Sequence, residues 1–190
     1  METGMGHIGM VLAFLAAAPL LWLLAMYNRF IRLNNHCIEA WSNIDAELKR
    51  RYELIPNLVR TVQGYARHER GVLEEVTRLR QFCVAETGAP SRQAFLENQL
   101  VGAMRRLLAR VENYPDLKAS APFLALQNEL ANTEDRIGAA RRFYNGNVRE
   151  LNNALESLPA SIVARAFGFS TREFFELEDI GLRNAPQFKL

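Results

Sequence analysis

The chain of 190 residues is poor in the residues that punctuate or staple a fold. It has 7 prolines and 11 glycines against 49% hydrophobic residues. Those proportions exclude a collagen-like, low-complexity or disordered polymer. Its 2 cysteines, Cys37 and Cys83, cannot build a disulfide framework, and free thiols suit a reducing compartment. Charge of one sign is also scarce: 23 basic and 21 acidic residues leave +2. A balance that even gives no support to a nucleic-acid binder, which needs an excess of positive charge. No sustained period-two alternation exists, so no sheet is predicted.

One long run lacks charge altogether. From Ile8 to Tyr27 there is no ionised side chain. About 20 residues make a helix of roughly 30 Å, the thickness of a bilayer core. Trp22 and Tyr27 stand toward one end, where amphipathic rings favour the headgroup zone. Pro19 interrupts the run, and a kink is tolerated in lipid. A cleaved signal peptide is the alternative, but the start METGMGHIG has no Lys or Arg and the apolar run is longer than a signal core. Residues 1–27 therefore read as a retained single-pass anchor. Arg29 and Arg32 follow it directly, and only Glu2 and the amino group precede it. The positive-inside rule then predicts an external amino terminus and a cytoplasmic body at a bacterial inner membrane, with a periplasmic or extracellular body as the alternative. Gly9, Ala13 and Ala17 recur every four residues, a spacing that permits two anchors to pack closely.

After Tyr27 the pattern is all-α. Cys37, Trp41, Ile44, Leu48, Tyr52 and Ile55 form a seam of three- and four-residue steps. No Pro or Gly between Asn28 and Asn35 separates this helix from the anchor. Pro56 interrupts it; a tight reversal at Ile55-Pro56 is the preferred reading and a kink the alternative. A second helix is predicted over residues 57–86, with Leu58, Val62, Tyr65, Leu73, Val76, Leu79 and Cys83 facing inward. Thr87-Gly88-Ala89-Pro90 breaks it, and Ser91 is the candidate cap of a third helix carrying Leu96, Leu100, Ala103, Leu107, Val111 and Tyr114. YPDLKASAP is a loop, with Ser120 the candidate cap and Pro122 in the first turn of a fourth helix. That helix steps from Phe123 to Leu158 over roughly five coiled-coil heptads, and Pro159 ends it. Short loops imply an antiparallel up-and-down four-helix bundle over residues 28–158, with extended first and last helices and a tail over 159–190.

The residues that carry chemistry are sparse. Glu-x-x-His pairs of a di-iron bundle are missing, since Leu33 and Tyr65 precede His36 and His68 by three. His68-Glu69 has no second His one turn on, and there is no Cys-x-x-Cys. Cys37 and Cys83 lie in apolar seams and read as small core hydrophobes. His36 points about a hundred degrees away from Cys37 on a helix and is no ready base. The Gly4-Met5-Gly6 and Gly6-His7-Ile8-Gly9 runs follow no strand, so nucleotide binding is unsupported. Catalytic, metal and cofactor sites are therefore all expected to be absent.

Two surfaces remain. With a reversal at Pro56, the segments Lys49-Arg50-Arg51, Ile55-Pro56-Asn57 and Tyr114-Pro115-Asp116 with Lys118 would meet at a membrane-distal tip. A basic cluster there offsets the negative end of a helix dipole or receives an acidic partner. Loops on a rigid scaffold are where docking usually sits, although corner packing explains the same residues. The other surface is the tail, where Phe167, Phe169, Phe174 and Phe175 stand among Glu173, Glu176, Glu178 and Asp179. These rings fold back over the bundle, pack on a neighbouring protomer or dip into the interface. The acids argue against deep contact with an anionic leaflet, so packing on a neighbour or on the chain itself ranks above lipid.

The stretches YNRFIRLNNHCIEAWSNIDAELKRRYELIPNLVRTVQGYARHE, ENQL, ENYPDLKASAPFLALQNELANTEDRIGAARRFYNGNVRELN and FGFSTREFFELED resemble the LemA family of bacterial membrane-anchored proteins. They cover most of Tyr27 to Asp179; the apolar run and Ile180 to Leu190 carry no specific match. The resemblance implies a helical bundle behind an amino-terminal membrane helix, with no settled enzymatic activity. It also implies association with the envelope, in some members with membrane proteases or with the shaping of internal membranes. The combined expectation is a non-enzymatic interaction or scaffold protein, bound to the bilayer and self-assembling as a homo-oligomer. An adaptor presenting its distal tip to a membrane protease or other envelope complex is the alternative. An unrecognised enzyme ranks lowest.

Overall fold

The computed structural model describes residues 2–177, with side chains placed over 17–66 and 68–177. Among them every element is helical: α1 (Glu2–Tyr65), a 3-10 turn (Arg67–Glu69), α2 (Arg70–Ala85), α3 (Pro90–Val111), α4 (Pro115–Lys118), α5 (Ala121–Glu156) and α6 (Ala160–Ala166). Two compact units share these elements. One comprises Met1–Trp41 with Asn145–Arg172, the other Ser42–Tyr144 with the chain from Glu173 on. Among the described residues no helix is long and apolar enough to cross a membrane. The side chains of the first half of the run Ile8–Tyr27, Gly9 and Ala13 included, lie outside the described residues, as do Glu178 and Asp179; Ala17 is exposed.

Helix α1 has no break at Asn28–Asn35, as the absence of Pro and Gly predicts. Its buried ladder is Cys37, Ala40, Ile44, Leu48, Tyr52, Ile55, Leu58 and Val62, so Ala40 replaces Trp41 in the seam. The ladder corrects one expectation: the chain does not reverse at Ile55-Pro56, and α1 runs on to Tyr65. Proline cannot donate to the carbonyl four residues back, which leaves the Tyr52 oxygen without its helical partner. Arg80 of α2 supplies one, its Nε donating to that oxygen at 2.6 Å. Burial of Ile55, Leu58 and Val62 on both sides of the proline then holds the helix together across the fault.

The first reversal comes instead at Ala66, whose amide bonds Val62 O at 2.8 Å before the 3-10 turn. Tyr52 and Arg80 stand equally far from Ala66 along the chain, so α2 runs antiparallel to α1. Its inward residues are Leu73, Val76, Leu79 and Cys83, as the spacing predicts, whereas Tyr65 is exposed. Helix α3 returns beside α2, with Arg106 bonding Glu75 at 2.8 Å and Gln93 bonding the Cys83 carbonyl at 3.3 Å. Pro90 occupies its first turn, where a missing N–H costs nothing. Ser91 is therefore not the cap; it lies inside the turn, and its amide and hydroxyl both donate to Glu173 Oε2, at 3.4 and 2.7 Å. An anion from the tail thus serves the helix start.

Ser120 does not cap α5 either, since its buried Oγ has no partner. Helix α5 buries Phe123, Leu130, Thr133, Ile137, Tyr144, Val148, Leu151 and Leu155, but it stops at Glu156, and Leu158 is 81% exposed rather than in the core. Helix α6 ends on a glycine stop. Gly168 has φ +73°, Phe169 N bonds Ala164 O at 2.9 Å and Gly168 N bonds Arg165 O at 3.3 Å. This paired closure needs a residue free to turn left-handed.

If Arg80 stands in for the amide that Pro56 lacks, the two positions are energetically coupled. Arg80→Met is expected to cost about 1–3 kcal/mol in denaturant unfolding. In a Pro56→Ala background, where the helix can supply its own donor, that cost is expected to fall to a fraction, read from a double-mutant cycle.

Candidate functional site

The densest polar constellation is one that a hydrophobic seam hides. Arg51 lies beside Tyr52 on α1 and is fully buried. Its Nη1 donates to both carboxylate oxygens of Glu134 on α5, at 2.9 and 3.0 Å, and its Nη2 donates to Glu97 on α3. The other oxygen of Glu97 accepts from the Tyr52 hydroxyl and from Gln93 Nε2 at 2.7 Å. Gln93 also reaches the Tyr52 hydroxyl at 3.0 Å and the Cys83 carbonyl of α2. One guanidinium and one carboxylate, both without solvent exposure, thereby tie α1 and α3 to each other and to Glu134 of α5, and Gln93 adds α2.

The electrostatics follow from that enclosure. Burial opposes the charge on Arg51, but the carboxylates of Glu97 and Glu134 outweigh it and hold the guanidinium protonated beyond its usual range. Burial raises the Tyr52 phenol, and the negative Glu97 raises it further. The Cys83 thiol is pushed up to about 12, first by burial and then by Glu97. Burial raises Cys37 as well. None of these groups is a poised nucleophile or base. Two open clefts occur elsewhere. One, of about 640 Å³, is lined by Val59, Gln63, Arg70, Leu73 and Arg78 among others. The other, of about 340 Å³, lies among Trp22, Met26, Arg29, Glu150 and Leu158. Neither is lined by the Arg51 network, and among the described residues no group of three or more His, Cys, Asp or Glu side chains is disposed to hold a metal.

The expected tip is only partly assembled. Lys49 is exposed and paired with Asp45 at 2.7 Å. Arg50 reaches Glu129 at 2.6 Å. Arg51 and Ile55 are in the core, which removes them from any surface patch, and the cluster is not on a last helical turn because α1 continues for 14 residues beyond Arg51. Pro56 is half-buried and Asn57 exposed, its Oδ1 accepting from Arg60. The second half of the expected tip does meet a reversal, the one at Ala66–Glu69: the Tyr114 hydroxyl donates to Glu69 at 3.2 Å. Around it α4 exposes Pro115, Asp116 and Lys118 and anchors itself through buried Leu117.

In the tail, rings pack within the chain, the first of the arrangements that the sequence leaves open. Phe169 meets Tyr27 at 5.6 Å and Phe30 at 5.2 Å between ring centroids, and Phe167 meets Tyr27 at 5.1 Å. Arg172 exchanges two hydrogen bonds with the Asn152 amide, at 2.9 and 3.0 Å, and its Nε bonds Asn34 at 3.0 Å. In the other unit Phe175 is fully buried and Phe174 half-buried. There the Glu173 and Leu177 carbonyls accept from Tyr144, at 2.9 Å, and from Arg141. Side chains in place of a ladder hold this extended peptide.

Gln93 and Glu97 were missed by the sequence reading, which placed Leu96 on the seam of α3. The signal was present: 93, 97, 100, 104, 107 and 111 step by four and three, and all six are buried. Polar residues on such a ladder mark a buried network.

The sequence model of the LemA family matches residues 40–190. Among curated proteins the chain is similar to Magnetosome protein MamQ of Magnetospirillum gryphiswaldense, 26% identical over 84% of this chain and 68% of that protein. Magnetosome protein MamQ 2 of Paramagnetospirillum magneticum is also 26% identical, over 92% of this chain and 74% of its own length. Protein LemA of Metamycoplasma hominis is 27% identical over 80% and 70% respectively.

Removing one partner of a buried ion pair strands the other. Arg51→Met is expected to destabilise by about 3–5 kcal/mol in urea unfolding, and Arg51→Met with Glu97→Leu by clearly less. The thiol gives a separate check. A folded pKa of about 12 against an ordinary 9.0 means that the folded state retains a proton the unfolded state has lost between those values. Stability owed to Cys83 is therefore complete below about pH 9 and declines as pH rises toward 12, and Cys83→Ala is expected to flatten that decline.

Proposed function

The chain belongs to the LemA family, and we propose that it is a membrane-anchored, non-enzymatic interaction protein of the bacterial envelope. One observation carries the reading: the helix that includes the charge-free run Ile8–Tyr27 is the same unbroken α1 that delivers Arg51 to the buried network. An anchor continuous with the core ties the body directly to a bilayer. Residues 8–27 span that bilayer, and α1, α2, α3 and α5 form a four-helix bundle on its cytoplasmic side, as Arg29 and Arg32 favour. Confinement to a plane strengthens weak contacts between copies. The Gly9, Ala13 and Ala17 spacing permits such contacts through the anchors. The chemistry-bearing side chains support a non-catalytic role, because the best-placed of them are buried and engaged with one another. Relatives named as magnetosome proteins fit a role at a bacterial membrane compartment.

A second reading rests on α4. Exposed Pro115, Asp116 and Lys118 around a buried Leu117 form a rigid projection suited to docking a membrane protease or another envelope protein.

One variant tests both. Native Cys37 and Cys83 are buried, so Lys118→Cys supplies the reactive thiol. In membranes that resist alkaline carbonate extraction, a membrane-impermeant maleimide is expected to label that variant only after permeabilisation. Extraction by carbonate without detergent overturns the anchor. Labelling of intact cells reverses the orientation. A cross-linker on the introduced thiol that yields a band of twice the chain mass supports self-assembly, and one that yields a heavier foreign partner supports the adaptor.

A further inference from the structure

Helix α6 is short, ASIVARA, and its two sides are unequal in an unusual way. One side buries Ser161, Val163 and Ala164. The other presents Ile162, 65% exposed, and the flanking Leu158 and Phe167 are 81% and 50% exposed. A surface helix ordinarily turns polar residues outward. Here the outward residues are apolar except Arg165. Single exposed apolar side chains need no explanation, but three within ten residues, on one short helix and its two flanks, mark an interface.

The place of that element says what covers it. The Phe167 ring contacts Tyr27, the last residue of the charge-free run, edge-on at 5.1 Å. Leu158 and Pro159 share the 340 Å³ cleft with Trp22 and Met26 of the same run. The outer face of α6 therefore stands level with Trp22–Tyr27. On α1 at that level Leu20, Leu21, Leu24 and Ile31 are exposed too. Cations flank the patch: Arg29 lines the cleft, and Arg32 and Arg165 are exposed. Glu150 is the one carboxylate lining that cleft.

Of the four acids that argue against lipid, Glu178 and Asp179 lie outside the described residues. Glu173 and Glu176 belong to the other compact unit. There the Glu173 carboxylate accepts from the start of α3. The seven residues of α6 contain no acid.

We propose that the outer face of α6, with Leu158 and Phe167, is a second membrane contact, seated at the headgroup–acyl boundary of the bilayer that α1 enters. Apolar side chains at that depth are buried by roughly 5–10 Å, and arginines beside them meet phosphate groups. This inference rests on the anchoring of α1 proposed above. Its consequence is a chain held by two points, which fixes the tilt and rotation of α1 as a single span does not.

Tryptophan depth measurement separates the two claims. The full chain is reconstituted in vesicles of phosphatidylcholine and phosphatidylglycerol containing phosphatidylcholine brominated along its acyl chains. Three single-tryptophan forms are compared: native Trp22 after Trp41→Phe, Ile162→Trp after Trp22→Phe and Trp41→Phe, and Glu112→Trp in the same background. Emission from positions 22 and 162 is expected to be quenched, with position 162 most sensitive to bromines nearest the headgroup, and position 112 unaffected. Quenching at 22 with none at 162 overturns the second contact and leaves the anchor standing. No quenching at 22 overturns the anchor itself. A nitroxide on Ile162→Cys covers the case in which the tryptophan variant fails to fold. Greater access to oxygen than to a water-soluble nickel complex supports lipid contact. Spin–spin broadening between copies assigns this face to a second chain and overturns the proposal.

Discussion

A single guanidinium sets the terms for the larger compact unit. Arg51 has no exposure to solvent and bridges two carboxylates from different helices. Such a group is costly to bury and costly to leave unpaired, so the register of α1 against α3 and α5 is restricted to the one in which both carboxylates arrive. Apolar seams alone tolerate a slide by one turn, because a leucine finds another leucine. The Arg51 pairings do not. Tyr52 and Gln93 add a condition, since both must satisfy Glu97 while Gln93 also reaches the carbonyl of Cys83.

The same economy recurs wherever the backbone is left incomplete. Arg80 supplies the donor that Pro56 lacks. Glu173 meets the amide and hydroxyl of Ser91 at the start of α3. The Asn152 amide pairs with both polar backbone groups of Arg172, as a neighbouring strand would. Each is a side chain doing what secondary structure does elsewhere, and each comes from a residue distant in sequence. The tail peptide can therefore be extended, without helix or sheet, while the carbonyls of Arg172, Glu173, Glu176 and Leu177 accept from side chains.

What the sequence made legible was set by periodicity, and what it hid was set by long-range partners. The seams of α2 and α5, the breaker at Thr87–Pro90 and the joint between the apolar run and the first soluble turns followed from residue spacing. Pro56 misleads when its cost is judged locally; the arginine that offsets it lies 28 residues beyond Tyr52, whose carbonyl the proline leaves unpaired. Ser91 and Ser120 mislead for a related reason. Both have a capping side chain, but Pro90 already opens α3, and the Ser120 hydroxyl is buried without a partner. In the sequence Arg51 reads as one of a surface cluster with Lys49 and Arg50. Three consecutive cations point in three directions on a helix, and only Arg51 turns inward. The phenylalanines of the tail read as one group, whereas Gly168 turns Phe169 onto Tyr27 and Phe30 while Phe175 packs into the other unit.

Function follows from where the unsatisfied surface is left. Inside, Arg51, Glu97 and Glu134 engage one another, burial raises both thiols, and neither of the two clefts described is lined by the network. Outside, the described apolar surface is not uniform: its most exposed members, Leu158, Leu21 and Ile162, belong to the unit that holds the end of the charge-free run. A protein built to turn over a substrate concentrates strained or perturbed groups at a concave site. In this chain the perturbed groups act as fasteners, and the three most exposed apolar side chains stand where membrane insertion is proposed. Such a distribution suits a body whose work is to hold a position and present a face from it.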